Sequence, residues 1–233
     1  MNDPDFIYWR HPTVPGIKVE EVTGGDIYKG EVWREMALQV YCENGREAYR
    51  EVGHYPNGAP FLYGEASRIS ITHCEGLLAV ATLPPTPEVE LSSFSQRAAM
   101  GIDAERRNRA QVLKVRGRFL SEDELSLADA DDVEANVLAW TVKEAAYKAM
   151  LSPGLDFRKD IRIVKMPVPG PAVPVFRGAD FGLPDNVKEI PEEFFGEVRV
   201  GGEILKVWSY LSDDFIVTLC YSPRCAKFGK TGV

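Results

Sequence analysis

The 233-residue chain is 45% hydrophobic and 27% charged, proportions that supply a sizeable core and exclude extended disorder. A net charge of −8 and a pI of about 5.1 exclude general attraction to nucleic acid or to anionic lipid, so an anionic ligand must be met by local cations. No apolar run approaches the ~18–20 residues of a spanning helix, and the opening Met-Asn-Asp-Pro-Asp lacks a basic-then-apolar leader pattern. The expectation is a cytoplasmic protein with no membrane partner, whose Cys42, Cys74, Cys220 and Cys225 are free thiols.

Residues 5 to 22 pattern as one or two short strands, broken at His11-Pro12 and Pro15-Gly16. Glu31 to about Arg50 turns helical, with Trp33, Met36, Ala37, Val40 and Tyr41 on one side and Asn44-Gly45 interrupting it. Tyr55 to Pro60 has the composition of a turn. Arg68 to Cys74 alternates apolar with polar, Glu75-Gly76 reverses the chain, and Leu77 to Thr82 returns, which predicts a hairpin. The proline-containing stretch Leu83 to Ala98 predicts a surface loop, followed by a short strand around Met100 to Ala104.

The longest helical pattern comes next. Asp131 or Asp132 can cap it and Ser152-Pro153-Gly154 ends it, with Val133, Val137, Trp140, Glu144, Tyr147 and Leu151 forming a stripe at helical spacing. Phe157 to Val164, Gly196 to Val200, Ile204 to Tyr210 and Phe215 to Tyr221 read as strands, turning at Gly201-Gly202 and Ser212-Asp213-Asp214, and residues 226 to 233 as a tail. Each half is thus a helical segment followed by antiparallel strands.

Three features carry chemistry. Asp103 and Glu105 stand at i and i+2, on one face of a strand, where two like charges suit either a solvated edge or a divalent cation. Glu144 falls within the apolar stripe and has Lys148 one turn on, either a plain helix ion pair or part of a site. Charge is also segregated: Arg106 to Arg118 holds six basic residues and no acidic one, and Ser121 to Glu134 seven acidic and no basic one.

Taken together, G-I-D-A-E at Gly101 to Glu105, R-F-L-S-E-D-E-L at Arg118 to Leu125 and W-T-V-K-E-A-A-Y-K at Trp140 to Lys148 resemble, in order and spacing, the signature of the 4′-phosphopantetheinyl transferases. I-S-I-T-H-C, ending at His73-Cys74, resembles that family's I-S-H-S segment, and the length is similar to the monomeric surfactin-synthetase-activating type. The resemblance implies an α+β fold of two pseudo-two-fold related halves, each a helix on a small antiparallel sheet, with the cofactor cleft between them. The halves are expected at residues 1–104 and 105–233. It implies a monomeric enzyme that moves the 4′-phosphopantetheine arm of coenzyme A onto a serine of an apo acyl or peptidyl carrier protein. By position, Asp103, Glu105 and Glu144 would hold Mg2+. His73, Lys143, Lys148 and Arg34 would meet coenzyme A, and Glu144 and Lys148 would be catalytic, with Glu144 or water on the metal as base. Glu124 matches a motif carboxylate without an assigned role.

Departures from the family pattern are Thr72 and Cys74 in place of serines, and Ala59 where a lysine precedes Pro60. They leave a second reading: a homologue that binds coenzyme A or a carrier domain without transferring the arm.

Overall fold

The computed structural model describes residues 5–10, 17–24, 30–43, 51–65, 67–83, 100–170, 192–212 and 214–223. The expected breaks at His11-Pro12, Pro15-Gly16 and Asn44-Gly45, the stretch 84–98, Cys225 and the tail lie outside these residues.

Four antiparallel strands form the sheet of the first third: β1 (Asp5–Arg10), β2 (Lys18–Thr23), β5 (Arg68–Cys74) and β6 (Leu77–Leu83), in the order β1-β2-β6-β5. Helix α1 (Gly30–Glu43) carries Trp33, Ala37 and Tyr41 at i, i+4 and i+8, and this stripe is buried against Val22, Ile69, Leu78 and Val80. Each large side chain so buried contributes about 1.5–3 kcal/mol. The Trp33 indole N–H donates to the Gly24 carbonyl at 2.9 Å. Between α1 and β5, β3 (Val52–His54) and β4 (Pro60–Leu62) pair across the turn expected at Tyr55 to Pro60, where Gly58 takes φ +83°. Three-residue strands are too short for alternation to reveal them.

The second compact unit contains β7 (Met100–Arg106), α2 (Gln111–Phe119), a 3-10 turn (Asp123–Leu127), α3 (Val133–Met150), β8 (Ile161–Lys165), β9 (Gly196–Val200), β10 (Glu203–Leu211) and β11 (Phe215–Tyr221). Its antiparallel sheet runs β7-β11-β10-β9-β8, so the strand that opens the unit in sequence pairs with the strand that closes it. Both units are therefore a helix packed on antiparallel strands, the α+β class the sequence implies. A division after residue 104 would cut β7, which pairs with β11 over its whole length.

The Asp132 carboxylate caps α3 by accepting the Ala135 N–H at 3.0 Å, and Leu151 ends the helix in the left-handed conformation just before Ser152-Pro153-Gly154. The helix is buried nearly all round: Val137, Ala139, Thr141, Val142, Lys143, Ala145 and Ala146 are all inaccessible. The expected stripe of Trp140, Glu144 and Tyr147 is only half-buried, because smaller residues let the opposite faces pack on the sheet and the 3-10 turn. Two further differences are local. Asp156 accepts the Arg158 and Lys159 N–H groups at 2.8 and 3.0 Å, folding the stretch after Phe157 into a turn and delaying β8 to Ile161. The basic block from Gln111 onward is helix α2, whose Val112 and Phe119 reach the core. Among the described residues no helix is long and apolar enough to cross a membrane.

Candidate active site

The site begins with a glycine. At Gly101 on β7 a Cβ would fall 2.5 Å from Ala149 N, 3.0 Å from Lys148 C and closer still to Ala145 O, so the strand lies directly against one turn of α3. No positive φ requires glycine there; the close approach does. Strand periodicity then turns Asp103 to the same side, and Lys148 donates to Asp103 Oδ1 at 2.7 Å and to the Ile102 carbonyl at 3.2 Å. Glu105, two residues further, pairs with Arg109.

Beneath the site runs a row of buried hydroxyls. Thr218 is the cross-strand partner of Asp103; its Oγ1 lies 2.8 Å from Thr141 Oγ1 on α3 and 2.8 Å from Ser209 Oγ on β10. Thr141 donates to the Leu138 carbonyl at 2.9 Å. A hydroxyl has one proton, so the row has one direction: Ser209 donates to Thr218, Thr218 to Thr141 and Thr141 to the backbone. This satisfies every buried proton and ties α3 to the sheet at the level of Asp103.

Glu144 faces this cluster from α3. Burial, followed by the negative charge of Asp103, pushes its carboxyl up to about 7, while Lys148 and Arg109 pull the other way. Asp103, Glu144, Lys148 and Arg109 thus share one electrostatic environment, assembled from β7, the turn after it and one face of α3. It can exchange a proton near neutral pH and can hold an anion against a cation.

Lys143 corrects the expectation drawn from its place in the motif. It is inaccessible to solvent, and its ammonium donates to both Glu124 carboxylate oxygens and to the Phe157 carbonyl, each at 2.8 Å, and to the Ile161 carbonyl. With every donor spent inside the protein it cannot contact coenzyme A. The physical reason is helical phase: one residue from Glu144 is about 100° around the axis, which turns Lys143 to the 3-10 turn and β8. Glu124 gains its role here, also accepting the Ser121 N–H at 2.9 Å and the Ile163 N–H at 2.6 Å. Burial opposes its charge, but these donors more than offset it and hold its carboxyl below the usual range, while burial pulls the Lys143 ammonium below the usual lysine range against the opposing pull of Glu124.

His73 and Arg34 belong to the first unit. His73 is exposed near the end of β5, and Arg34 sits half-exposed on α1, 3.8 Å from Glu31. Most of the basic block is engaged within the second unit. Arg107 pairs with Glu134, Arg109 with Glu105, Arg116 donates to the Leu125 and Ala128 carbonyls, and Arg106 lies over the Phe215 ring. Lys114 and Arg118, one turn apart on α2, are exposed. The pairing of Glu105 with Arg109 was readable only as a four-residue spacing, a weak signal outside a helix.

Asp103, Glu105 and Glu144 offer the hard oxygen donors that a small divalent cation takes, and the mutual repulsion of Asp103 and Glu144 is what such a cation relieves. As placed, Lys148 and Arg109 occupy two of these carboxylates, and among the described residues no three His, Cys, Asp or Glu side chains converge on one point. The donor chemistry fits a hard cation once those two side chains turn aside.

No curated protein is significantly similar to the chain. Residues 99–193, which include β7, α2, the 3-10 turn, α3 and β8, match the family model of the 4′-phosphopantetheinyl transferase superfamily. The matched segment, residues 99–193, is the one that builds this site, and it is similar to the 4′-phosphopantetheinyl transferase superfamily.

Proposed function

We propose that the protein transfers the 4′-phosphopantetheine arm of coenzyme A to a serine of an apo acyl or peptidyl carrier protein, in a Mg2+-dependent reaction, as a monomer. The observation that carries this reading is the juxtaposition of Glu144, held near neutrality, with Asp103 and Lys148 inside the matched domain.

The nucleophile is a serine hydroxyl, which needs a base because little alkoxide exists at neutral pH. Glu144 accepts that proton, the serine oxygen bonds to the pantetheine-side phosphorus, and the phosphoanhydride bond breaks to release 3′,5′-ADP. Lys148, released from Asp103, stabilises the charge gathering on the phosphates. Asp103, Glu105 and Glu144 would hold Mg2+, which when bound neutralises charge on the diphosphate. Lys143 takes no part in binding.

Docking of an acidic carrier helix falls to Lys114 and Arg118, since the other arginines of the block are committed internally. The second reading, binding without transfer, is the alternative; Ala59, buried at the turn where the family pattern has a lysine, lowers the expected affinity for coenzyme A under either reading. Incubation with coenzyme A, Mg2+ and a panel of apo carriers, followed by mass spectrometry, separates the two. Transfer adds mass to the carrier, whereas calorimetric binding with an unmodified carrier supports the second reading. Glu144→Ala and Asp103→Ala are expected to abolish the added mass while remaining folded.

A further inference from the structure

We infer that Lys143 and Glu124 are a positioning pair: they fix the rotation of α3 so that Glu144 and Lys148 face β7. The inference rests on the transfer reading above for its kinetic consequence only. Lys143 immediately precedes Glu144, and its ammonium is bonded to three separate places: the 3-10 turn through Glu124, the loop through Phe157 and the start of β8 through Ile161. Glu124 is anchored in turn by the Ser121 and Ile163 N–H groups. Both side chains are buried, so neither has a solvent-exposed alternative.

Ala139, Ala145, Ala146 and Ala149 give α3 a smooth surface there, so besides the Thr141–Thr218 contact with the sheet its phase needs an index on the side turned to the 3-10 turn and β8. A fixed ammonium at residue 143 supplies that index. Rotation of α3 by a fraction of a turn would carry Lys148 away from Asp103 and Glu144 away from β7, leaving the backbone fold intact. Burial of two charges gains little stability compared with a hydrophobic pair, which suits a role in orientation.

The test is a double-mutant cycle on Lys148→Met and Asp103→Asn, read by urea unfolding in the native background and again with Lys143→Met. Glu124→Gln is the alternative background should Lys143→Met not fold. In the native background, removal of the Lys148–Asp103 coupling should change the unfolding equilibrium by about tenfold. With the pair broken, the coupling should fall below about twofold. In parallel, kcat per folded molecule should drop at least about tenfold, with KM for coenzyme A within about twofold of native. Restoring stability with Glu124→Gln/Lys143→Met should leave kcat low. A coupling that survives loss of the pair, or a kcat that simply tracks the folded fraction, overturns the inference. Should the native protein transfer nothing, the transfer reading fails, and the coupling measurement still decides the positioning role.

Discussion

Replacing Gly101 with alanine tests the contact on which the site is built. The backbone there needs no glycine, so the reduced freedom of the unfolded chain would by itself make alanine stabilising by about 0.4–1 kcal/mol. Sterics reverse the sign. The added methyl would stand 2.5 Å from Ala149 N and closer to Ala145 O, which are backbone atoms of one helical turn and cannot rotate away. Reaching ordinary contact requires β7 and α3 to separate by about 1 Å, a displacement that costs about 100-fold in a positioned reaction. Overpacking of this kind costs about 1–3 kcal/mol, and the rigidity of the obstacle places it at the upper end. Urea unfolding should therefore show Gly101→Ala destabilised by about 2–3 kcal/mol, and the transfer rate of the folded fraction should fall by about two orders of magnitude. Stability within about 0.5 kcal/mol of native would refute the close-approach argument.

Glu144 gives a pH signature: its folded pKa of about 7 lies above the unfolded value of 4.5, so the folded state holds the proton more tightly. Its favourable contribution is complete below pH 4.5 and is lost as pH rises to about 7. Glu144→Gln should remove that loss and stabilise the protein at pH 8 by on the order of 1–2 kcal/mol relative to its effect at pH 5, as read by thermal or urea unfolding. If stability falls equally at both pH values, burial beside Asp103 does not raise the Glu144 carboxyl. Mg2+ should raise the native Tm at pH 8, with little effect on Asp103→Asn; an equal shift in both would remove Asp103 from the metal site. Reversing Lys114 and Arg118 to glutamate should raise KM for the carrier by about tenfold with little change in kcat, and a KM unaltered from native would place the docking surface elsewhere.

Much of this arrangement is legible in the chain because its signals are local. The i, i+2 spacing placed Asp103 and Glu105 on one face of a strand, and capping at Asp132 with the stop at Ser152-Pro153-Gly154 set the ends of α3. The hairpin followed from alternation over Arg68 to Cys74, the turn at Glu75-Gly76 and the return from Leu77 to Thr82. What sequence did not reveal depends on contacts between distant residues. Helical phase alone turns Lys143 about 100° from Glu144 and makes Lys148 the better phosphate candidate, but motif membership kept Lys143 among the ligand residues because it does not distinguish a side chain that meets substrate from one that holds its neighbour in place. Its partner Glu124 lies nineteen residues away, across a 3-10 turn with no periodicity to locate it. Charge counting made Arg106 to Arg118 a uniform basic block, whereas helix α2 and the turn before it divide it into internally paired arginines and an exposed pair. The hydroxyls of Thr141, Ser209 and Thr218 carried no signal, since single polar residues in a strand or helix look like surface positions until the sheet is assembled.

The most direct measurement is the mass of an apo carrier after incubation with the protein, coenzyme A and Mg2+. Transfer through Glu144 should add about 340 Da to the carrier serine with native protein, and nothing with Glu144→Ala. An unmodified carrier across a panel of acyl and peptidyl carriers, or full modification by Glu144→Ala, would contradict it.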